Sequence, residues 1–169
     1  MTTPALLAGP GAGTAAPIRR FHTTVRVRGD ASKGAASVLE HTLQAGCLAM
    51  PVHRHAGATE VLHVLDGALV VWLDGAELAA PAGTSVVIPP GAAHTFWTEV
   101  DAPRPARVLA VFAPGGMERY FEEVAAHVPP LGTGTPYMPG VLGASSRHGV
   151  EVHMESLYEL IGRHGLALA

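Results

Sequence analysis

The residues best suited to chemistry lie in the middle of the chain, where one residue separates His53 from His55. Side chains alternate faces along a β-strand, so these two imidazoles project from one face, with Cα atoms about 7 Å apart. Two imidazoles in this arrangement can bind one ion with metal–nitrogen bonds of about 2.1 Å. The pair alone is a weak signal, because a chain with ten histidines could contain it by chance on an exposed strand.

A carboxylate, turn glycines and a third histidine follow this pair at regular spacings. Four residues separate His55 from Glu60, and six residues separate Glu60 from Gly67. A second block has a glycine, five residues, a proline–glycine turn, two residues and a histidine, in the order Gly83, Pro89-Pro90-Gly91 and His94. Because the pattern includes turn residues as well as possible ligands, chance would rarely produce it.

The two blocks, Gly46 to Gly67 and Gly83 to His94, resemble the paired motifs of the cupin superfamily. The resemblance covers residues 37–112 and implies a jelly-roll-like antiparallel β-barrel with an ion inside. Carried over residue by residue, it implies four metal ligands, which are His53, His55, Glu60 and His94. Two departures from the family pattern are present. Six residues, instead of the family's five, separate Gly46 from His53, and Thr98 stands where the family often has Asn. Neither position is a metal ligand in the family.

The expected cofactor is one divalent transition metal ion. Three neutral imidazoles and one carboxylate leave such an ion with a net charge of about +1. These ligands suit several ions, so Fe, Ni, Mn, Co, Cu and Zn all stay open. An ion that accepts six ligands keeps two positions for substrate, water or dioxygen.

The residues after the last expected barrel strand, 112–121, look like the tail of small bacterial cupins related to quercetin 2,3-dioxygenases. This resemblance implies a dioxygenase-like oxidoreductase acting on a small aromatic or enolisable molecule, with Glu60 also acting as a base. Phe96, two places beyond His94, is the candidate pocket wall, although core packing explains it equally well. A fold does not fix a function. A cyclase, isomerase or lyase using the ion as a Lewis acid, and a non-catalytic small-ligand-binding cupin, therefore remain alternatives.

The other histidines lack a partner at metal-binding spacing. His63 lies three residues beyond Glu60, so a regular strand directs it away from the site. Solvated surface is the expected location of the remaining six, which are His22, His41, His127, His148, His153 and His164.

Short β-rich segments with turn residues between them predict an all-β domain. Asp66-Gly67 between two such segments predicts a hairpin. The predicted strands are 23–28, 37–43, 59–65, 68–73, 84–88, 95–100 and 107–112.

One or two helices are expected to pack outside the barrel near the C-terminus. Apolar residues at i, i+3, i+4 and i+7 predict the first helix, namely Met117, Tyr120, Phe121 and Val124. The expected role of this apolar stripe is packing against the barrel or lining the mouth of a pocket. A second helix is predicted over 154–163, after an irregular connection over 129–149. The expected organisation is a flexible tail over 1–17, a barrel over 18–114 and a helical extension over 115–169.

The composition of the chain limits the kinds of binding partner to expect. The net charge of −3 gives no electrostatic footprint for nucleic acid or an anionic membrane, so a small-molecule substrate is expected. No apolar run approaches the roughly 20 residues of a membrane span. The first residues lack the features of a secretory signal and Cys47 is the only cysteine, which favours a cytoplasmic location.

The outer face of the barrel favours a homodimer. If Glu60 faces the metal, strand alternation places Val61 and Leu65 outside, and the family register places Val70 and Trp72 outside as well. Such an apolar face is too large for open solvent, and two-fold dimers are the commonest assembly. The competing interpretation is that the N-terminal strand or the C-terminal helix covers this face within one chain.

Overall fold

A computed structural model describes residues 9–169 of the chain. Its three helices are α1 (Glu118–His127), α2 (Met138–Arg147) and α3 (Glu155–His164). Its strands are β1 (Thr14–Ile18), β2 (Phe21–Val27), β3 (Ser37–Leu43), β4 (Cys47–Leu48), β5 (His53–His55), β6 (Thr59–Asp66), β7 (Ala68–Leu73), β8 (Ala76–Pro81), β9 (Ser85–Ile88), β10 (His94–Trp97), β11 (Ala106–Ala113), β12 (Val150–Val152) and β13 (Ala167–Leu168).

Two sheets with almost entirely antiparallel pairing face each other as a jelly-roll-like sandwich, which confirms the predicted all-β class. The first sheet has the order β1-β2-β3-β11-β6-β9. The second contains β12-β5-β10-β4-β13, with β7 pairing β10 and β8 pairing β7. The sheets share one core but do not join into a closed barrel, so the molecule is a sandwich with an internal cavity.

Strand alternation builds the core. Along β3 and β11, every second residue is buried, and the same holds for β6 from Glu60 to Val64. Aliphatic side chains occupy most of these inward positions, and their burial drives the packing of the two sheets. The polar exceptions on the inward side of these strands include Glu60 and His41, which are 3% and 0% exposed.

The predicted hairpin at Asp66-Gly67 joins β6 to β7, and glycine is required there. Gly67 has a φ of 71°, in the left-handed region that favours glycine. A Cβ on Gly67 would also lie 2.9 Å from the Cα of Ala106. The close approach of β11 therefore adds to the conformational reason for glycine at this turn.

Helix α1 both packs on the sheets and lines a cavity, so the two roles expected for its apolar stripe coexist. Tyr120, Phe121 and Val124 are buried in the core. At the start of the helix, the buried Glu118 carboxylate accepts the backbone N–H of Gly29 at 2.9 Å. This hydrogen bond ties α1 to the loop after β2.

The irregular connection predicted over 129–149 is wrong for residues 138–147, which form α2. Pro139 lies in the first turn, where a missing N–H costs no hydrogen bond. Gly140 lies where a Cβ would be 2.6 Å from the His127 ring, so it permits close packing against the end of α1. In the sequence alone, this proline and glycine favour a loop. In the structure they begin α2 and allow it to pack closely against α1.

The structure also differs from the expected division of the chain. The sequence predicts a flexible tail over residues 1–17, but residues 14–17 belong to β1, which pairs with β2. Residues 1–8 of the predicted tail lie outside the described residues. The expected extension over 115–169 supplies β12 to the edge of β5 and β13 to the edge of β4. Two short strands from the last 55 residues are thus part of the second sheet.

Helix α3 covers part of the apolar outer face. Leu157 and Leu160 pack in a second cluster with Trp97, and Val70 and Trp72 pack against that cluster. Val70 and Trp72 are therefore covered by a C-terminal helix of the same chain, as the competing interpretation predicted. No helix among residues 9–169 is long and apolar enough to cross a membrane.

Candidate metal centre

Four side chains from three strands converge inside the sandwich. His53 and His55 come from β5, with the exposed Arg54 between them, as strand alternation predicts. His94 on β10 pairs in register with His53, and Glu60 enters from β6. All four side chains are almost fully buried, with exposed fractions of 5% or less.

Backbone carbonyls fix the orientation of all three histidine rings. The Nδ1 atoms of His53, His55 and His94 lie 3.2, 3.1 and 3.0 Å from the carbonyl oxygens of Pro51, Ala58 and Ala92. A carbonyl can only accept a hydrogen bond, so each Nδ1 carries the proton and donates it. This arrangement leaves Nε2 as the available metal-binding atom of each ring, and it is typical of histidine ligands.

The three histidines form a group that can hold a metal ion. One ligand atom from each ring lies within 4.8 Å of the others. Because metal–nitrogen bonds are about 2.1 Å long, small side-chain movements suffice to bring the three nitrogens onto one ion. The carboxylate of Glu60 borders the same group, with its Oε2 atom 3.1 Å from Nε2 of His55 and 3.2 Å from Nε2 of His94. The structure thus brings together all four residues predicted from sequence, while the role of Glu60 as a fourth ligand remains a prediction.

Burial and mutual pairing set the electrostatics of the cluster. Burial raises the pKa of Glu60, but hydrogen bonds from His55 and His94 outweigh it and hold the pKa well below its usual range. Burial lowers the pKa of His55, but its hydrogen bond to Glu60 outweighs it, and the net pKa is raised. Burial, with the neighbouring His94, holds the pKa of His53 well below 6.5. In the metal-free cluster the Glu60 carboxylate thus holds a proton on Nε2 of His55, and a cation that binds there would replace this proton beside an anionic carboxylate.

A small cavity of about 20 Å³ opens beside the cluster. Phe96, the predicted pocket residue, lines it together with His53, His55 and Glu60. Most of the remaining wall is apolar, including Phe112, whose ring lies 5.8 Å from that of His55. A ligand reaching the histidines is thus surrounded mainly by hydrocarbon.

Thr98 accounts for one departure from the cupin motif. Its hydroxyl donates to the carbonyl of Gln44 at 2.5 Å and accepts the N–H of Cys47 at 3.1 Å. These bonds join the end of β10 to the turn before β4. Thr98 therefore has a structural role at a position remote from the metal cluster.

His41 lies in the core, whereas the sequence interpretation placed it on the solvated surface. It is 0% exposed and stacks against Phe21, with ring centroids 4.7 Å apart. Its Nδ1 lies 3.0 Å from the Thr23 hydroxyl, and its Nε2 has no hydrogen-bond partner. The alternation of β3 gave the signal for this location, because His41 falls between the inward residues Leu39 and Leu43.

Comparison with known proteins agrees with this architecture. Residues 39–112 match the family model of the cupin domain. With the fold and the histidine cluster described above, this match identifies a cupin domain in this part of the chain. None of the curated proteins matches it in sequence.

Several solved structures share the fold. KdgF from Halomonas sp. superposes with a TM-score of 0.59 at 14% identity, over 68% of this chain and 98% of that one. A predicted oxalate decarboxylase from Thermotoga maritima gives 0.59 at 18% identity, over 64% and 99%. The nucleoside dehydratase Pac13, from Streptomyces, gives 0.55 at 14% identity, over 68% and 87%. At such identities the similarity concerns the fold alone.

Proposed function

We propose that the chain is a metal-dependent enzyme, and that it oxygenates a small aromatic or enolisable organic molecule. The observation that carries this proposal is the buried cluster of His53, His55 and His94, with each ring held by a backbone carbonyl and its Nε2 facing Glu60 or the cavity. A histidine that only packs in a core also needs a hydrogen-bond partner, but the cluster goes beyond this requirement by bringing one ligand atom from each of three rings within 4.8 Å of one another.

The four residues His53, His55, Glu60 and His94 would hold one divalent ion of the Fe, Ni, Mn, Co, Cu or Zn group. When bound, such an ion supplies a positive charge that stabilises a deprotonated oxygen of the substrate. Glu60 is placed to accept the proton leaving a substrate hydroxyl or activated carbon, since it is the carboxylate that borders the small cavity. The hydrogen bonds from His55 and His94 that hold its pKa low would be lost once those Nε2 atoms bound the ion, which would restore part of its basicity. It would then act both as a ligand and as a base.

The walls of the cavity support an aromatic or enolisable substrate. Phe96 and Phe112 offer apolar contact to the part of the substrate nearest the histidines and exclude water from a reactive carbanion or enolate. Dioxygen is itself apolar, so the same walls favour its entry. Phe96 therefore acts in this proposal as a substrate-contacting residue.

A second candidate is a lyase, isomerase or cyclase that uses the ion as a Lewis acid without oxygen. A dehydratase and a predicted oxalate decarboxylase stand among the proteins that share this fold. The same base, Glu60, would serve either reaction. A non-catalytic binding role is the remaining alternative.

Oxygen dependence separates these candidates. Protein loaded separately with Fe²⁺ and Zn²⁺ would be given a panel of aromatic diols, flavonols and β-dicarbonyl compounds, in air and under nitrogen. The proposal expects oxygen uptake with at least one compound in air, and its loss in the His94→Ala variant. Equal turnover under nitrogen with Zn²⁺ would instead establish the Lewis-acid candidate, and tight binding without turnover would establish the binding role.

We also propose that the chain forms a homodimer, in the cytoplasm expected from the sequence. Part of the apolar outer face remains open after α3 has covered Val70 and Trp72. Val87 and Leu65 are 57% and 41% exposed on the outer face of the first sheet. A second copy of the chain is the proposed cover.

A further inference from the structure

A second, larger cavity lies under the C-terminal helices, beside the small cavity at the histidines. We call it the distal chamber. Its volume is about 80 Å³, against about 20 Å³ for the cavity at the histidines. Helices α1 and α2 contribute much of its wall, including Val124, Met138 and Val141.

The distal chamber adjoins the metal cavity directly. Five residues line both spaces, namely Phe21, Ala49, Met50, Tyr120 and Phe121. These shared side chains form a common wall, so a molecule with one end at the histidines has to displace some of them to place its other end in the chamber. Met50 is an unbranched and adaptable side chain at this junction, which eases such passage.

The side chains that line the distal chamber favour an apolar ligand group over a charged one. No charged side chain is found among its described lining residues. Its polar groups include Tyr120 and Ser145, whose hydroxyl oxygens lie 3.4 Å apart. Ser145 donates to the carbonyl of Val141 at 3.0 Å, so the Tyr120 hydroxyl is the donor of that pair. These two polar groups are thus largely occupied with each other and with the backbone.

We propose that the distal chamber binds an apolar arm of the substrate while its polar end reaches His53, His55 and His94. This inference rests on the proposed function and narrows the substrate to an amphiphilic molecule with a short alkyl chain or a single ring. A space of about 80 Å³ holds roughly five water-sized groups at about 15 Å³ each. Each methylene transferred into it should strengthen binding about fourfold, equivalent to about 0.8 kcal/mol.

The test uses a homologous series of n-alkyl hydroxamic acids, from acetohydroxamic to decanohydroxamic acid. The hydroxamate binds metal ions, and the alkyl chain reports on the chamber. Titration calorimetry on the zinc-loaded protein should show an affinity that rises about fourfold per methylene and levels off once the chamber is full, after about five carbons. A flat series in the wild type, with acetohydroxamic acid still binding, would overturn the proposal.

Filling the chamber provides the matched comparison. Val141→Trp occupies it from α2, so this variant should lose the chain-length dependence yet bind acetohydroxamic acid as tightly as the wild type. Leu131→Trp makes the same kind of change at a position that is 63% exposed and outside the chamber, and it should behave as wild type. If Val141→Trp does not fold, Met138→Trp repeats the test from a partly buried position at the start of α2. Full chain-length dependence in a folded, filled variant would refute the inference.

A metal-free measurement distinguishes failure of the chamber from failure of the proposed function. Millimolar 1-hexanol should raise the unfolding temperature of the metal-free wild type, because a ligand that binds only the folded state stabilises it. Val141→Trp should lose this shift, and Leu131→Trp should keep it. If acetohydroxamic acid does not bind but hexanol does, the metal site fails and the chamber stands as an apolar site. If hexanol gives no shift, the chamber itself is refuted.

Discussion

The Nδ1 atoms of the three histidines explain why these residues serve as a preorganised group. Each ring is held by a carbonyl in a segment that adjoins its strand, two or three residues away in sequence. The ligand atoms are therefore positioned by local backbone geometry and need little help from distant packing. For this reason, contiguous motifs in the sequence were sufficient to predict them.

Removal of a ring should remove the ion. We expect one metal ion per wild-type chain by elemental analysis, and well below one for His53→Ala, His55→Ala and His94→Ala. His63→Ala is the control, because His63 points away from the cluster and contacts the Ser85 hydroxyl at 2.9 Å. Full occupancy after loss of any two of the three ligands would show that the ion binds elsewhere.

The two roles of Glu60 can be separated with Glu60→Gln, which keeps a coordinating oxygen but loses charge and basicity. We expect this variant to retain much of its metal and to lose about 10²–10⁴-fold in turnover per metal-loaded molecule. Glu99→Gln at an exposed position is the control. Normalised turnover equal to wild type would leave Glu60 as a ligand only.

His41 should make stability depend on pH. Burial lowers its pKa from 6.5 to about 4, against the opposing charges of Glu60 and Glu40. Below pH 6.5, His41 binds a proton in the unfolded chain but stays neutral in the folded protein. The free energy of unfolding therefore falls by roughly 3 kcal/mol in total as the pH drops from about 6.5 to about 4. Above pH 6.5 this residue contributes no slope.

The measurement is urea unfolding of metal-free wild type and His41→Phe at several pH values. Phenylalanine keeps the aromatic stacking with Phe21 but cannot be protonated. The free-energy difference between the two proteins should shift in favour of the variant as the pH falls. Parallel pH profiles would contradict the predicted role of His41.

At the scale of elements, strands with local turn signals were predictable and long-range strands were not. The boundaries of β3 and β7 agree with the sequence prediction, because alternation and flanking turns define them. By contrast, β12 and β13 have three and two residues and form only by pairing with distant β5 and β4. Helix α2 was missed for a different reason, since its proline and glycines favour a loop until α1 packs beside it. The distal chamber could not be predicted without α2.

Two aspartate–glycine hairpins provide an internal control for the role of packing at a turn. Gly67 and Gly75 both have positive φ values, at 71° and 94°, but only Gly67 has atoms of β11 within 4 Å of a Cβ position. Gly75→Ala should therefore cost about 1–2 kcal/mol of stability from backbone strain alone. Gly67→Ala should cost about 1–3 kcal/mol more, because the loop before Ala106 must move. Equal losses in urea unfolding would show that β11 yields without cost.

At the scale of the whole molecule, the described part of the chain leaves an apolar row partly open on the outer face of the first sheet. Strand register aligns Val87 with Val61, Val61 with Val111, and Val111 with Val38. This valine row crosses four strands. Nearby, Arg107 pairs with Glu40 at 2.7 Å, so these charges are already partnered beside the row. An apolar row bordered by paired charges can meet its own copy across a two-fold axis without burying an unpaired ion.

We therefore expect a dimer in sedimentation velocity at micromolar concentration, and a monomer for Val87→Lys. A lysine at the exposed end of the valine row would bring an uncompensated charge into the interface, twice in a two-fold dimer. Val100→Lys is the matched control, since Val100 is 55% exposed, close to the 57% of Val87, but lies in the loop after β10. This variant should remain a dimer. A monomeric wild type, or a Val87→Lys variant that still dimerises, would show that the valine row is not the interface.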